Sequence, residues 1–262
     1  LQAADLDLLI QAAEQAGDIA CRYTGPTAKR WDKPDGAGPV TEADLAVNAY
    51  LEDHLQNARP SYGWLSEESA DSDLRLTKDC VFIIDPIDGT RSFAEGSRTW
   101  AHSFAIAQQG HITHAVVYLP QRDLMFTASS GGGSFCNGRQ LEVSAHNDWN
   151  TANILAPKPN LAPEHWHTNE SPSFQHHFRP SLAYRLASVA SGKFDAMMTL
   201  RASWEWDIAA GDLLIREAGG ITSDRTGQAL RFNTADKKLN GVLGANKTIH
   251  QDLQEALRDV SL

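Results

Sequence analysis

Four consecutive apolar residues, Val81-Phe82-Ile83-Ile84, run directly into Asp85-Pro86-Ile87-Asp88-Gly89-Thr90. This junction constrains the fold more than any other stretch. The apolar run predicts a strand over 81–84 that is covered on both faces. Pro86 has no N–H to give to a ladder, so the strand is predicted to stop there, and Gly89 permits a tight turn. Asp85 and Asp88, three apart across that turn, converge on one point at the rim of a core. Paired carboxylates in such a place repel one another, which calls for a cation between them. Oxygen ligands without a neighbouring His or Cys point to a hard ion, Mg²⁺ before Mn²⁺ or Ca²⁺. A plain Asp-Gly turn, with Asp85 capping the next segment, is the competing reading, and this stretch alone leaves both open.

The rest of the chain limits where such a turn can sit. Its 262 residues suit one large domain or two small ones. No apolar run reaches the roughly 18 residues of a membrane helix, so no membrane association is expected. The N-terminal stretch is acidic and lacks the basic start of a secretory signal. Cys21, Cys80 and Cys136 are odd in number and form no C-x-x-C pattern, so reduced thiols in a cytoplasmic protein are expected. A net charge of −10 argues against a nucleic-acid surface but not against small phosphorylated ligands, whose charge a bound cation can offset.

Apolar spacing predicts an amphipathic helix over 5–22 and, after Thr41 with Asp44 three residues on, a second helix carrying Leu45, Val47 and Leu51. Residues 25–39, with repeated Gly and Pro, read as a long loop. Period-two patterning over 101–136 predicts an antiparallel meander, in which the glycines of 129–133 make a hairpin turn rather than a phosphate loop. A seam is expected around 145–180. It separates an N-terminal half, 1–145, with the antiparallel sheet, from an α/β half, 146–262. His165, His167, His176 and His177 fall in the seam without metal-ligand spacing and read as loop residues. Helices are predicted at 181–195, ended by Gly192, at 207–220 with Asp207 as its N-cap, and at 248–259. Strands are predicted at 196–200 and 240–246.

Two further acidic points join the opening turn: Glu67-Glu68 after Trp64-Leu65-Ser66, and Asp207 after Trp204-Glu205-Trp206. Taken together and in order, "VTEAD" (40–44), "WLSEES" (64–69), "DPIDGT" (85–90), "GSFCNG" (133–138) and "WDIAAGDLLIREAGG" (206–220) resemble the inositol monophosphatase superfamily of Mg²⁺-dependent, lithium-sensitive phosphatases. The resemblance spans nearly the whole chain. It implies an α+β or α/β fold layered as an αβαβα sandwich, with the site between the halves. It also implies a role for each of several residues. One metal would be held by Glu67, Asp85 and the Ile87 carbonyl, and a second by Asp85, Asp88 and Asp207. A third would lie near Glu67, with Asp44 orienting its waters. Thr90, with Glu67, would position the attacking water, and the N–H groups of Gly89 and Thr90 would receive phosphate oxygens. Apart from the resemblance, the loop at 25–39, whose Lys33 lies close in sequence to the Thr41–Asp44 segment, is expected to close over the site when metal binds.

The resemblance does not fix the alcohol. Inositol-specific members carry a Glu seven residues before the W-D aspartate, where this chain has Leu200. An apolar pocket wall at Leu200, Glu205 in "WEWD", and Arg185 or Arg201 set to meet a second phosphate favour a 3'(2'),5'-bisphosphate nucleotidase acting on 3'-phosphoadenosine 5'-phosphate. Arg91 and Arg98 flank the metal turn. Inositol monophosphate, histidinol phosphate and sugar phosphates are the alternative substrates. A role as an RNA-processing or transcription partner is the alternative of another class. Members of the superfamily are commonly homodimers.

Overall fold

The computed structural model describes residues 2–23, 28–33 and 38–258. The chain opens with α1 (Gln2–Arg22), a small antiparallel pair β1 (Arg30–Asp32) and β2 (Pro39–Thr41), and α2 (Glu42–Ala58). The stretch read as a structureless loop therefore contains a paired ribbon. Pro39 sits at its edge, where a missing donor is tolerated. Residues 25–27 and 34–37 of that stretch, and with them part of the expected closing loop, lie outside the described residues.

A seven-stranded sheet follows. It is built from β3 (Gly63–Ser66), β4 (Cys80–Asp88), β5 (Ala101–Gln108), β6 (His111–Leu119), β7 (Leu124–Ser129), β8 (Gly133–Cys136) and β9 (Arg139–Gln140), in sequence order. The first pair is parallel and the rest form the predicted meander. Pro86 does not end β4. The ladder with β5 skips from Asp85–Ser103 to Asp88–Ala101, so Pro86 and Ile87 occupy a bulge where no donor is needed. Gly89, at φ +93°, then turns the chain into the short helix α3 (Thr90–Ala94).

The C-terminal half gives β10 (Asn153–Leu155), β11 (Gln175–His177), α4 (Leu182–Ala190), β12 (Ala196–Thr199), β13 (Ser203–Trp204) and α5 (Glu205–Glu217). These are followed by β14 (Ile221–Ser223), β15 (Lys238–Leu239), β16 (Val242–Ala245) and α6 (Lys247–Ala256). Strands β11-β10-β12-β16-β14 make a mixed five-stranded sheet, and β13 pairs with β15.

Three cores stack these elements into an αβαβα sandwich. Leu9, Ala13, Val47 and Leu51 of α1 and α2 bury one face of the large sheet against Phe82, Ile84 and Phe104. Its other face meets α4 and α5 through Ala105, Val117, Leu186, Leu213 and Leu214. The small sheet packs Ile154, Met198 and Leu243 on Ile249 and Leu253 of α6. Alternation along the strands sends side chains to opposite faces, so β4 and β5 feed two cores at once. α5 lies deep between the two sheets, which carries its first turn to the end of β4. Gly211 lets it approach α4, since a Cβ there would lie 2.5 Å from Leu186 Cδ1.

Candidate metal centre

Three segments bring acids together. The β4 bulge holds Asp85 and Asp88, the first turn of α5 holds Asp207, and the end of β3 leads into Glu67. Asp85, Asp88 and Asp207 each offer a carboxylate oxygen to one cluster within 4.8 Å, and the two from β4 are buried. Asp207 is not the N-cap of its helix. Trp204 is, held in the β13–β15 pair, so Asp207 is the third residue of α5, within its first turn, with its side chain toward Asp85.

The electrostatics are those of a site short of positive charge. Burial, then Glu67, Asp88 and Asp207, push Asp85 well above the usual carboxylate range. Burial, then Asp88 and Glu67, do the same to Asp207. Asp88 is raised to about 6 by burial, although Ser181 Oγ and the Ala183 N–H both donate to its Oδ2 at 2.6 Å. These groups can lose their protons together only if a cation joins them. A set of buried carboxylates with no imidazole or thiolate among them suits a hard divalent ion.

Glu67 stands apart from the three-carboxylate cluster. Its Oε1 accepts from Lys33 Nζ at 2.8 Å, and the same ammonium lies 2.6 Å from Glu68 Oε1. Burial alone would lower the Lys33 pKa, but the two glutamates outweigh it and raise it. Burial and Glu67 push Glu68 to about 7. Asp44 is buried at the start of α2. Its Oδ2 accepts from the Thr41 N–H at 2.9 Å and from Thr41 Oγ1 at 2.5 Å, so the predicted pairing of Thr41 with Asp44 is present. Asp44 Oδ1 accepts from Thr90 Oγ1 at 3.2 Å, and that hydroxyl also reaches the Ile87 carbonyl at 3.1 Å. Burial raises Asp44 to about 6. Thus Asp44, Ile87 and Thr90 form one bonded group against the acidic turn.

The residues predicted to read the substrate are placed differently. Leu200 is 4 % exposed and packs in the core of the small sheet, so it is no pocket wall. Glu205 is fully buried and accepts from the N–H groups of Asn233 and Thr234 and from Thr234 Oγ1, at 2.6–2.9 Å. Its carboxylate ties α5 to the 233–234 segment and is not available to a ligand. Arg98 is bound to the Gln121 carbonyl. Arg91 and Arg201 are exposed. Arg185 is buried on α4 with Asp88, Asp207 and Arg201 as its charged neighbours, and its Nη1 has no partner among the described residues.

Sequence reasoning missed the contacts that hold the acids. Ser181 was readable as a helix N-cap, and it does accept from the Tyr184 N–H at 3.0 Å, but nothing local signals that its hydroxyl also reaches Asp88. Ser103 Oγ donates to the Trp206 carbonyl at 2.8 Å, beside Asp207. His102 Nδ1 bonds the Pro86 carbonyl. A polar pair inside the apolar run Ala101–Ala107 was the available sign.

The chain is similar to known proteins over its length. The model of the inositol monophosphatase family matches residues 2–262. An inositol-1-monophosphatase of Rhizobium meliloti is 35% identical over 237 residues, covering 85% of this chain and 86% of the relative. The Nus factor SuhB of Escherichia coli K12 is 34% identical over 232 residues, covering 85% of each. The crystal structure of the extragenic suppressor protein SuhB from Bartonella henselae superposes with a TM-score of 0.83 at 31% identity, over 98% of this chain and 100% of that one. The Thermotoga maritima IMPase gives a TM-score of 0.82 at 25% identity over 96% of each chain. The acidic turn, the layered fold and these likenesses agree: the chain belongs to the inositol monophosphatase family, a family of phosphoric monoester hydrolases.

Proposed function

We propose that the protein hydrolyses a small phosphomonoester with Mg²⁺ as cofactor, and that inositol 1-phosphate is its substrate. The convergence of Asp85, Asp88 and Asp207 from two halves of the chain supports the reaction. The name of the Rhizobium meliloti relative supports the substrate. Glu67, Asp85, Asp88, Asp207 and the Ile87 carbonyl would hold the cation. When bound, it supplies Lewis acidity toward the phosphate and a water acidic enough to act as nucleophile.

The chain's own groups orient the rest. Asp44 holds the Thr90 hydroxyl at 3.2 Å, which keeps that hydroxyl at the acidic turn to direct a water together with Glu67. For Glu67 to act there, Lys33 must leave its oxygen or share it. The N–H groups of Gly89 and Thr90 receive phosphate oxygens where φ +93° at Gly89 turns the main chain. Ser181 and Ala183 hold Asp88 Oδ2 and leave its other oxygen for the cation. The free cysteines support a reducing, cytoplasmic setting. Among the described residues no helix is long and apolar enough to cross a membrane.

A second substrate reading rests on Arg185. Its guanidinium keeps one nitrogen, Nη1, without a partner among the described residues, and such a donor favours an alcohol bearing a further phosphate, such as 3'-phosphoadenosine 5'-phosphate. The net charge of −10 favours small ligands over RNA. Phosphate release from the two substrates decides between them. We expect kcat/KM for inositol 1-phosphate to be higher by about tenfold, or roughly 1.4 kcal/mol in the transition state. The reverse order would favour the bisphosphate.

A further inference from the structure

Neighbouring residues of a strand point to opposite faces, and on β5 both His102 and Ser103 are polar and buried. His102 lies among Trp100, Phe104 and Tyr118 on the α1–α2 side, with ring centroids 5.3–6.3 Å away. Ser103 faces α5. Each holds one main-chain carbonyl. His102 Nδ1 bonds Pro86 O, the carbonyl between Asp85 and Ile87. Ser103 Oγ donates to Trp206 O at 2.8 Å, the carbonyl before Asp207. One strand thus grips both acid-bearing turns, one from each half of the chain.

The histidine is an expensive way to fill an aromatic box. Its Nε2 is buried with no partner among the described residues, and an apolar ring would avoid that loss. The bulge supplies a reason to keep it. Pro86 and Ile87 fall out of the β4–β5 ladder, so the ladder does not hold the Pro86 carbonyl. A side chain rising from the facing strand does so instead.

We infer that His102 and Ser103 are positioning residues for the metal centre: they fix the 85–88 bulge and the start of α5 so that the three carboxylates meet before an ion arrives. An ion then binds without ordering the turns itself, which is the energetic content of preorganisation. This rests on the Mg²⁺ site proposed above.

Calorimetric titration of the full chain with Mg²⁺ alone tests it. The wild type is measured beside His102→Asn, His102→Phe and Ser103→Ala, each with a thermal melt in EDTA. Asn places its amide N–H near the position of Nδ1, whereas Phe fills the box without a donor. We expect Kd for Mg²⁺ to rise about tenfold or more in His102→Phe and Ser103→Ala, and to stay within about threefold of wild type in His102→Asn. Excess Mg²⁺ should restore turnover in the weakened variants while their melting temperatures in EDTA stay near that of the wild type, a combination that a general loss of folding would not give. If His102→Phe does not fold, His102→Gln replaces it. Its amide falls near the Nε2 position and should bind Mg²⁺ more weakly than His102→Asn. Wild-type affinity in His102→Phe and Ser103→Ala, or equal weakening in His102→Asn and its partner variant, overturns the inference. A wild type that binds no Mg²⁺ overturns the metal reading instead.

Discussion

Asp88, at the end of β4, accepts a 2.6 Å hydrogen bond from the hydroxyl of Ser181, the N-cap of α4. Ninety-three residues separate them in sequence. The bond uses one carboxylate oxygen to dock a helix of the second half on the acidic turn of the first, so in the proposed site the acid is at once a joint and a ligand.

Replacing Asp88 by Asn separates these two duties. The amide oxygen can still accept from Ser181 and the Ala183 N–H, while the negative charge is gone. Turnover should fall by orders of magnitude and Mg²⁺ affinity with it. The melting temperature in EDTA should hold or rise, since one repelling charge is removed. A large loss of stability with turnover intact would reverse this assignment.

Stability without metal should depend on pH in an unusual direction. Asp44 and Asp88 stand at about 6 in the folded protein against 3.8 for an ordinary Asp, and Asp85 and Asp207 are also raised. These groups hold their protons more tightly folded than unfolded. Their contribution is complete below about pH 4 and is lost as pH rises through about 6. The melting temperature in EDTA should therefore fall between about pH 5 and about pH 7, and the stabilisation by saturating Mg²⁺ should grow across the same range. A gap between the Mg²⁺ and EDTA curves that is flat with pH would show that the acids are not protonated in the free protein.

Glu205→Ala should act on stability. It strands the N–H groups of Asn233 and Thr234, which Arg75 also grips through Asn233 Oδ1 at 2.7 Å and the Thr234 carbonyl at 3.0 Å. The expected cost is about 3 kcal/mol. If denaturant melts are unchanged and only the preference among substrates shifts, Glu205 reads the ligand after all.

Gly211→Ala should also lower the melting point. Alanine in a helix interior ordinarily gains about 1 kcal/mol over glycine. Here the new methyl would press on Leu186 where α4 crosses α5, and overpacking costs about 1–3 kcal/mol. A more stable variant would mean that the two helices can move apart freely.

The acids were legible because their neighbours are local. Asp85, Pro86, Asp88 and Gly89 announce a turn by spacing alone, and the apolar run before them announces a buried strand. Thr41 and Asp44 form a short-range pair for the same reason. What stayed hidden depends on contacts across the fold. Leu200 looks like a pocket residue in sequence, but β12 delivers it to the third core. Glu205 looks like a ligand group beside Asp207, but the two differ by two helical positions, or about 200° around the axis, and so face different ways. The bond of Arg75 to Asn233 spans 158 residues and has no signature in either segment. Asp207 was recognised from its motif, yet its depth inside the helix depends on β13 pairing with β15.

If the carboxylates of β4 and α5 form a Mg²⁺ site that hydrolyses a phosphomonoester, turnover needs both the ion and the acids. Inorganic phosphate released from inositol 1-phosphate, measured for the wild type and for Asp85→Asn with Mg²⁺ and with excess EDTA, tests it most directly. Release is expected from the wild type with Mg²⁺, and only background in the other three conditions. Release by the wild type that is undiminished in EDTA, or by Asp85→Asn at the wild-type rate, would contradict it.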